Sequence, residues 1–124
     1  MYKPSNQTTG KLGEKIGEEY LIKRGYQILE RNLRSPFGEI DLVAQHHKSL
    51  VFVEIKTRRD QSFGFPEESI TLRKKTRLIR LANWYLSRYR NKPQPQIRFD
   101  VLAIQIESEG PSIRLIQDAI EVDF

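Results

Sequence analysis

The chain has 124 residues, a formal net charge of +5, and 38% hydrophobic and 30% charged residues, which predicts one globular domain over residues 1–124 with its core at about 8–118. It has no cysteine, which excludes disulfides, thiolate catalysis and a cysteine-built zinc site. The longest apolar runs are strand-sized and the first residues contain no apolar signal core, so we expect a cytoplasmic protein without a membrane span.

The first predicted element is a helix capped by Thr8 or Thr9 and ending at about Arg24, with Gly25 as its stop. Its expected apolar stripe consists of Leu12, Ile16, Tyr20 and Ile22. It contains three glycines, each costing about 1 kcal/mol relative to alanine, namely Gly10, Gly13 and Gly17. We therefore expect another element to approach this helix closely. The glycines flank Glu14, which we place towards a functional site.

Three strands are predicted next, over residues 26–34, Gly38–Ala44 and Leu50–Arg58. The last two are joined by a short polar link and form an antiparallel hairpin. We place the centre of its turn between His47 and Lys48, which fixes the register of the pair.

In that register Asp41 faces Glu54, with Cβ atoms roughly 4.5–5.5 Å apart. Lys56 is two residues from Glu54 and projects from the same face. Two carboxylates and an ammonium at one point are what a divalent-metal hydrolytic site requires. The alternative is an ordinary salt bridge at the solvated end of a strand. Facing carboxylates repel each other, so the pair needs a counter-charge from Lys56 or from bound Mg²⁺.

A second helix is predicted from Pro66, which suits a first turn, to about Tyr89. Glu67 and Glu68 are then placed near its positive end. The expected apolar stripe consists of Leu78, Leu81, Ala82, Tyr85, Leu86 and Tyr89. Four arginines are expected on the outer face, namely Arg73, Arg77, Arg80 and Arg88. Lys74 falls near the apolar edge and is expected to lean over the sheet.

The positive charge is concentrated between Ser69 and Phe99, where the sequence has no aspartate or glutamate. A basic block of this kind is typical of a surface that binds a polyanion, and a phosphate backbone is the obvious partner. The alternative is a cationic helix face that is merely solvated.

Two more strands complete the chain, from Ile97 to Glu107 and from Ser112 to Gln117, joined by a turn at Gly110. The order is thus helix, three strands, helix and two strands. It predicts the α/β class, with a mixed sheet flanked by helices.

Several segments carry a family resemblance, among them Gly10-x-x-Gly13-Glu14. The most specific are the paired Gly38-Glu39-Ile40-Asp41-Leu42 and Phe52-Val53-Glu54-Ile55-Lys56-Thr57-Arg58. An acid on a first helix, an acid on a second strand and a Glu-x-Lys on a third resemble the PD-(D/E)xK nucleases. Within that superfamily the chain resembles the uncharacterised YraN-type family, close to archaeal Holliday-junction resolvases. The resemblance covers roughly residues 10–106.

The resemblance implies a restriction-endonuclease-like fold with the order α-β-β-β-α-β-β and a Mg²⁺- or Mn²⁺-dependent phosphodiesterase site. It implies that Glu14, Asp41 and Glu54 are the acidic, metal-binding residues and that Lys56 is the catalytic lysine. The residues expected to contact nucleic-acid phosphates are Thr57, Arg58, Arg73, Lys74 and Arg77. A homodimer would suit a junction with two strands to cut.

Other polar residues have competing interpretations. Glu18, one helical turn after Glu14, could replace it, although the glycine spacing favours Glu14. Glu39 is either a neighbour of the metal ligands or a surface residue, and Asp100 either faces the site or pairs with a basic residue. The adjacent His46 and His47 are interpreted as a solvated turn without a role.

Two functions follow from these observations. One is a metal-dependent endonuclease acting on structured or branched DNA, such as junctions or flaps. The other is a nucleic-acid-binding module that keeps the nuclease fold with little or no cleavage. Both use the basic helix, but only cleavage, or metal-bridged binding, explains carboxylates beside the phosphates.

Overall fold

The computed structural model describes residues 6–59, 71–88 and 94–120. Within these ranges the chain forms two helices and five strands in the predicted order. Their bounds are α1 Asn6–Lys23, β1 Gln27–Ser35, β2 Gly38–His46, β3 Ser49–Arg58, α2 Leu72–Leu86, β4 Gln96–Glu107 and β5 Gly110–Ile116.

The five strands form one sheet in the order β1-β2-β3-β4-β5. Neighbouring strands are antiparallel except β3 and β4, which are parallel. A parallel pair needs a long crossover connection, and α2 lies in the segment between these two strands. The predicted α/β class with a mixed sheet is therefore confirmed.

The β2–β3 hairpin has the register expected from its sequence. Leu42 pairs with Val53 and His46 pairs with Ser49, so the turn is His47-Lys48. His47 has φ 53°, the left-handed conformation that two-residue hairpin turns need. Asp41 and Glu54 are the next residues along each strand beyond the last paired residues.

The two helices cover opposite faces of the sheet. The α2 face is packed around Phe52, Leu78 and Leu81, and the α1 face around Leu21, Val53 and Leu102. The predicted stripe of α2 is confirmed for the residues described, which are Leu78, Leu81, Ala82, Tyr85 and Leu86; Tyr89 lies outside the described residues. Neither described helix is long and apolar enough to cross a lipid bilayer.

The predicted start of α1 is wrong, whereas its end is confirmed. The helix begins at Asn6, so Thr8 and Thr9 lie inside it and do not cap it. Gly25 follows its last turn with φ +89° and donates its N–H to the Ile22 carbonyl, with an N–O distance of 3.1 Å. Glycine suits this position because it has no Cβ to clash in the left-handed region.

The predicted apolar stripe of α1 is wrong in part. Leu12 is 39% exposed and Ile22 is 52% exposed, whereas Leu21 is completely buried. The helix turns its glycines to the sheet instead: a Cβ on Gly13 would overlap the Thr57 side chain, and one on Gly17 would lie 2.8 Å from Leu102 Cδ2. The close approach expected from the glycine content is confirmed at these two positions.

The predicted start of α2 is also wrong. Thr71 is extended, with φ −91° and ψ 165°, and its hydroxyl accepts the Lys74 N–H, so it is the N-cap and the helix begins at Leu72. A threonine that satisfies one of the free N–H groups is a better start signal than the upstream proline. Pro66, Glu67 and Glu68 lie outside the described residues.

Candidate functional site

The candidate site lies where β2 and β3 stop pairing. Beyond the pair Leu42–Val53, the Asp41 carboxylate takes the place of a backbone acceptor: its Oδ2 receives the Ile55 N–H at 2.6 Å. On the β1 side, Asn32 has φ 50° and falls between the paired residues of the ladder. A left-handed conformation is uncommon at a non-glycine residue and departs locally from the extended strand.

Glu54 lies between two amines. Its Oε1 is 2.7 Å from the Lys74 Nζ and 3.5 Å from the Lys56 Nζ. The Glu54 and Lys74 side chains are only 14% and 16% exposed, so their attraction is little screened by water. Glu54 Oε2 is buried and has no hydrogen-bond partner among the described residues.

Burial raises the pKa of Asp41 to about 6, from an ordinary value of 3.8. The Ile55 N–H opposes this rise, the negative charges of Glu54 and Glu14 add to it, and the Lys56 charge opposes it. These four influences place Asp41 within electrostatic reach of every residue of the expected site. Burial also lowers the pKa of Lys74 despite its contact with Glu54, and the neighbouring Lys56 adds to that decrease.

Glu14 reaches this site from α1, on the other face of the sheet. It is half-buried and near enough to raise the pKa of Asp41. Within the described part of the chain, however, no three histidine or acidic side chains converge closely enough to hold a metal ion. Glu18, the alternative to Glu14, is held in an ion pair with Arg31 of β1. The structure therefore brings together Asp41, Glu54 and Lys56, with Glu14 within electrostatic reach of Asp41.

The carboxylates fit a hard divalent cation in their chemistry. Glu54 has a buried Oε2 without a hydrogen-bond partner among the described residues, and the raised pKa of Asp41 disfavours its ionised form. A cation bound between the two carboxylates would stabilise both negative charges. Mg²⁺ commonly takes only one or two protein carboxylates and completes its shell with water and substrate phosphate. Asp41 and Glu54 would hold the ion, and Glu14 would act through water.

The residues expected to contact phosphates do not all lie beside the acids. Lys74 lies over the sheet as expected, but it is part of the site itself through Glu54. Arg73 is exposed, and Arg77 is half-buried against Gly38. Thr57 belongs to the opposite face, where it packs against Gly13, while Arg58 shares the face of Lys56. Thr57 therefore lies on the α1 side of the sheet, beside the turn of α1 that carries Glu14.

Glu39 and Asp100 are not part of the site. Glu39 forms an exposed ion pair with Arg34, with a distance of 3.2 Å. The Asp100 side chain is fully buried on the α1 face, where it accepts hydrogen bonds from Tyr26 at 2.8 Å and from Arg98 at 2.9 Å. Of the two interpretations of Asp100, pairing with a basic residue is the one observed.

The interpretation of His46 as solvated is wrong. His46 is only 8% exposed and stacks on Tyr26 with a centroid distance of 4.0 Å. Arg98 Nη2 lies 2.8 Å from its Nδ1; since a guanidinium only donates, Nδ1 accepts and the ring is neutral. Burial, followed by the Arg98 charge, lowers the pKa of His46. His47, in contrast, is exposed in the turn.

A sequence signal exists for the position of Lys74 but not for the burial of His46. Lys74 is one helical turn before Leu78 and thus on the buried stripe, which identifies it as a cation held near the sheet. The partners of His46 include Tyr26, which precedes β1, and Arg98 of β4. Gln117, after β5, in turn donates to the Tyr26 hydroxyl at 2.9 Å. Contacts so distant in the chain leave no local pattern.

Comparison with known proteins gives consistent matches over most of the chain. Residues 13–104 match the model of a family described as Uncharacterised protein family UPF0102. A UPF0102 protein of Symbiobacterium thermophilum is 45% identical over 92% of this chain and 97% of the relative. Others, from Syntrophotalea carbinolica and Pelobacter propionicus, are 42% and 44% identical, over 92% and 98% of this chain and 92% and 89% of the relatives.

Proposed function

The chain belongs to the uncharacterised protein family UPF0102, the YraN-type family expected from the sequence, and from that premise we propose that it is a metal-dependent endonuclease. Its substrate would be structured or branched DNA. We also assign the mixed sheet and its two helices to the restriction-endonuclease-like fold of the PD-(D/E)xK nucleases. The family name states no activity, so support for this proposal comes from the site geometry and from the resemblance of its motifs.

The observation that carries the proposal is the buried, partnerless Oε2 of Glu54 beside an Asp41 that resists ionisation. A purely structural ion pair would satisfy both oxygens of its carboxylate. Here one oxygen stays available, on the side chain that two amines already hold in place. This arrangement is expected of a carboxylate whose second oxygen binds a cation.

Each residue then has a distinct task. A bound Mg²⁺ or Mn²⁺ would supply Lewis acidity at the scissile phosphate. Lys74 holds Glu54 Oε1 and so positions the carboxylate. Lys56 is 33% exposed, so its amine can reach substrate, orient a water molecule or offset charge on the phosphate oxygens. The Ile55 N–H fixes the orientation of the Asp41 carboxylate.

The test is cleavage of labelled junction, flap, nicked and single-stranded DNA with Mg²⁺ or Mn²⁺. We expect wild-type protein to cut at least one structured substrate and EDTA to abolish the cutting. Glu54→Gln and Lys56→Ala should each lower the rate by about 100-fold or more, as removal of a group acting on the transition state does. Glu39→Gln, which changes an exposed carboxylate of β2, is the matched control and should cut like wild type. Cleavage that persists in the Glu54 and Lys56 variants would contradict the assignment.

A nucleic-acid-binding module is the second candidate, and one observation favours it. The described residues contain no group of three metal-binding side chains, and Glu54 Oε1 already has Lys74 as a partner. A module of this kind would bind the same DNA substrates without cutting them. Its affinity should then be insensitive to Glu54→Gln and to EDTA, whereas metal-bridged binding should weaken in both cases.

A further inference from the structure

On the basis of the nuclease function proposed above, we propose that a groove between the β1–β2 turn and α2 binds an unpaired stretch of DNA. The preferred substrate would accordingly carry a single-stranded segment beside its duplex. The groove has a volume of about 660 Å³, and its lining includes Pro36, Phe37, Leu72, Arg73, Arg77 and Arg80. Its volume is within the range of ligand-binding pockets.

The apolar residues of this groove are unusually exposed. Phe37 is 40% exposed and Leu72 is 80% exposed, and both are among the four large apolar side chains exposed in the described part of the chain. The faces of paired bases are stacked inside a duplex, so an apolar surface gains nothing from duplex DNA. Unpaired bases, in contrast, stack on aromatic side chains, with a large gain in affinity for each base.

The basic residues of the groove supply charge complementarity. Arg73, Arg77 and Arg80 form no ion pair with any residue that the structure describes. The whole of α2 contains no acidic residue. Guanidinium groups bind phosphates in a two-pronged fashion, so the three arginines offer phosphate contacts beside the stacking surface of Phe37.

The groove is continuous with the candidate site. Arg77 lies against Gly38, where a Cβ would be 2.9 Å from its Cδ, and Gly38 precedes Asp41 in β2 by three residues, or about 10 Å of strand. On α2, Lys74 is one turn before Arg77 and contacts Glu54 at 2.7 Å. A strand bound in the groove would therefore lead directly to the carboxylates.

The experiment measures binding in EDTA, so that cleavage does not contribute. The probes are fluorescein-labelled oligothymidine of about 12 nucleotides, a DNA hairpin with an oligothymidine overhang, and the same hairpin with a blunt end. We expect Phe37→Ala to weaken the binding of the first two probes by about tenfold or more, as loss of one stacking contact does. Binding of the blunt hairpin, followed by the same fluorescence anisotropy, should not change.

Two variants serve as controls. Phe37→Trp keeps an aromatic surface and should retain binding, which separates stacking from misfolding. Ile22→Ala removes an apolar side chain of α1 that is also exposed but lies outside the groove, and this variant should bind all probes like wild type. If Phe37→Ala weakened blunt and overhanging hairpins equally, or weakened neither, the groove assignment would be wrong. Tighter binding of oligouridine than of oligothymidine would contradict the assignment to DNA.

The result can be separated from that of the nuclease proposal. Cleavage that depends on Glu54, together with unchanged overhang binding by Phe37→Ala, would overturn only the groove. Binding of the overhang that depends on Phe37, in a wild-type protein that cuts no substrate, would support the groove and overturn only the nuclease function.

Discussion

At Asp41 a single carboxylate has both a structural and a proposed chemical task. Its Oδ2 accepts the Ile55 N–H at the point where strand pairing ends, so it holds β2 near β3 without a backbone ladder. Burial and the negative charges of Glu54 and Glu14 nevertheless raise its pKa to about 6. The ionised form that a metal requires is therefore the form that the metal-free fold disfavours.

This conflict predicts the pH dependence of stability. Since the pKa of Asp41 is higher in the folded than in the unfolded state, its contribution favours folding below about pH 4 and is lost as the pH rises to about 6. Asp41→Asn keeps an oxygen for the Ile55 N–H but carries no charge. In EDTA, urea unfolding should show the variant more stable than wild type above about pH 6, by up to about 3 kcal/mol, with the difference vanishing at about pH 4.

Glu39→Gln, on the same strand but exposed, is the control for Asp41→Asn and should change stability by less than about 1 kcal/mol, without a gain above about pH 6. A destabilising effect of Asp41→Asn at about pH 8 would mean that the Ile55 contact outweighs the cost of the buried charge. That outcome would contradict the inference that the ionised form of Asp41 destabilises the fold.

At the scale of elements, the two helices approach the sheet in different ways. Helix α2 uses a stripe of large apolar residues, and its N-cap at Thr71 sets the rotation that brings Lys74 over Glu54. Helix α1 instead uses glycines, which bring its backbone close to Thr57 and Leu102. The close approach of α1 also brings Glu14 within electrostatic reach of Asp41.

Replacement of the contact glycine should therefore destabilise the protein, although alanine is the better helix former. Gly13→Ala places a Cβ inside the space of the Thr57 side chain and should lower the free energy of unfolding by about 1–3 kcal/mol. Gly10→Ala is the matched control, since a Cβ there meets nothing within 4 Å; it should stabilise by up to about 1 kcal/mol. Equal urea midpoints for the two variants would show that α1 is not tightly packed at Gly13.

At the scale of the whole molecule, a partly buried polar cluster joins segments that are distant in the chain. It consists of Tyr26, His46, Arg98, Asp100 and Gln117. The Asp100 carboxylate also accepts the Asp118 N–H at 3.0 Å, which attaches the segment after β5 to the sheet. This cluster lies on the α1 face of the sheet, whereas Glu54 and Lys56 lie on the α2 face.

Removal of the Asp100 charge should therefore lower the free energy of unfolding. Asp100→Asn leaves Arg98, whose side chain is 18% exposed, without its counter-charge, and breaking a buried pair in this way costs about 3 kcal/mol. Chemical denaturation measures this loss. Glu39→Gln breaks an exposed pair instead and should cost less than about 1 kcal/mol. Similar losses in the two variants would argue against a stabilising cluster.

Much of the fold follows from local pattern. The two-residue turn determines the register of β2 and β3, because the loop length and turn type of a hairpin fix which residues pair. Hence Asp41 and Glu54 could be placed together from the sequence. The starts of both helices could not be predicted as well, since a proline or threonine signals a helix start only when its backbone conformation agrees.

The candidate site was predictable in its members but not in its contacts. Spacing along β3 places Lys56 beside Glu54, yet the shorter contact to Glu54 comes from Lys74, twenty positions later. Likewise, the sequence does not distinguish a surface histidine from His46, whose partners Tyr26 and Arg98 are distant in the chain. Thr57 follows Lys56 directly and, because strand faces alternate, lies on the α1 side of the sheet, opposite Lys56.

The amino-acid order alone determined the α/β class, the order of the elements and the hairpin that presents the acids, because these depend on neighbours within a few residues. Only tertiary structure decided which amine holds Glu54, which carboxylate oxygen stays without a partner and which polar residues are buried. Those outcomes depend on how α1 and α2 rest on the two faces of the sheet, and packing between distant segments leaves no periodic signal in the chain.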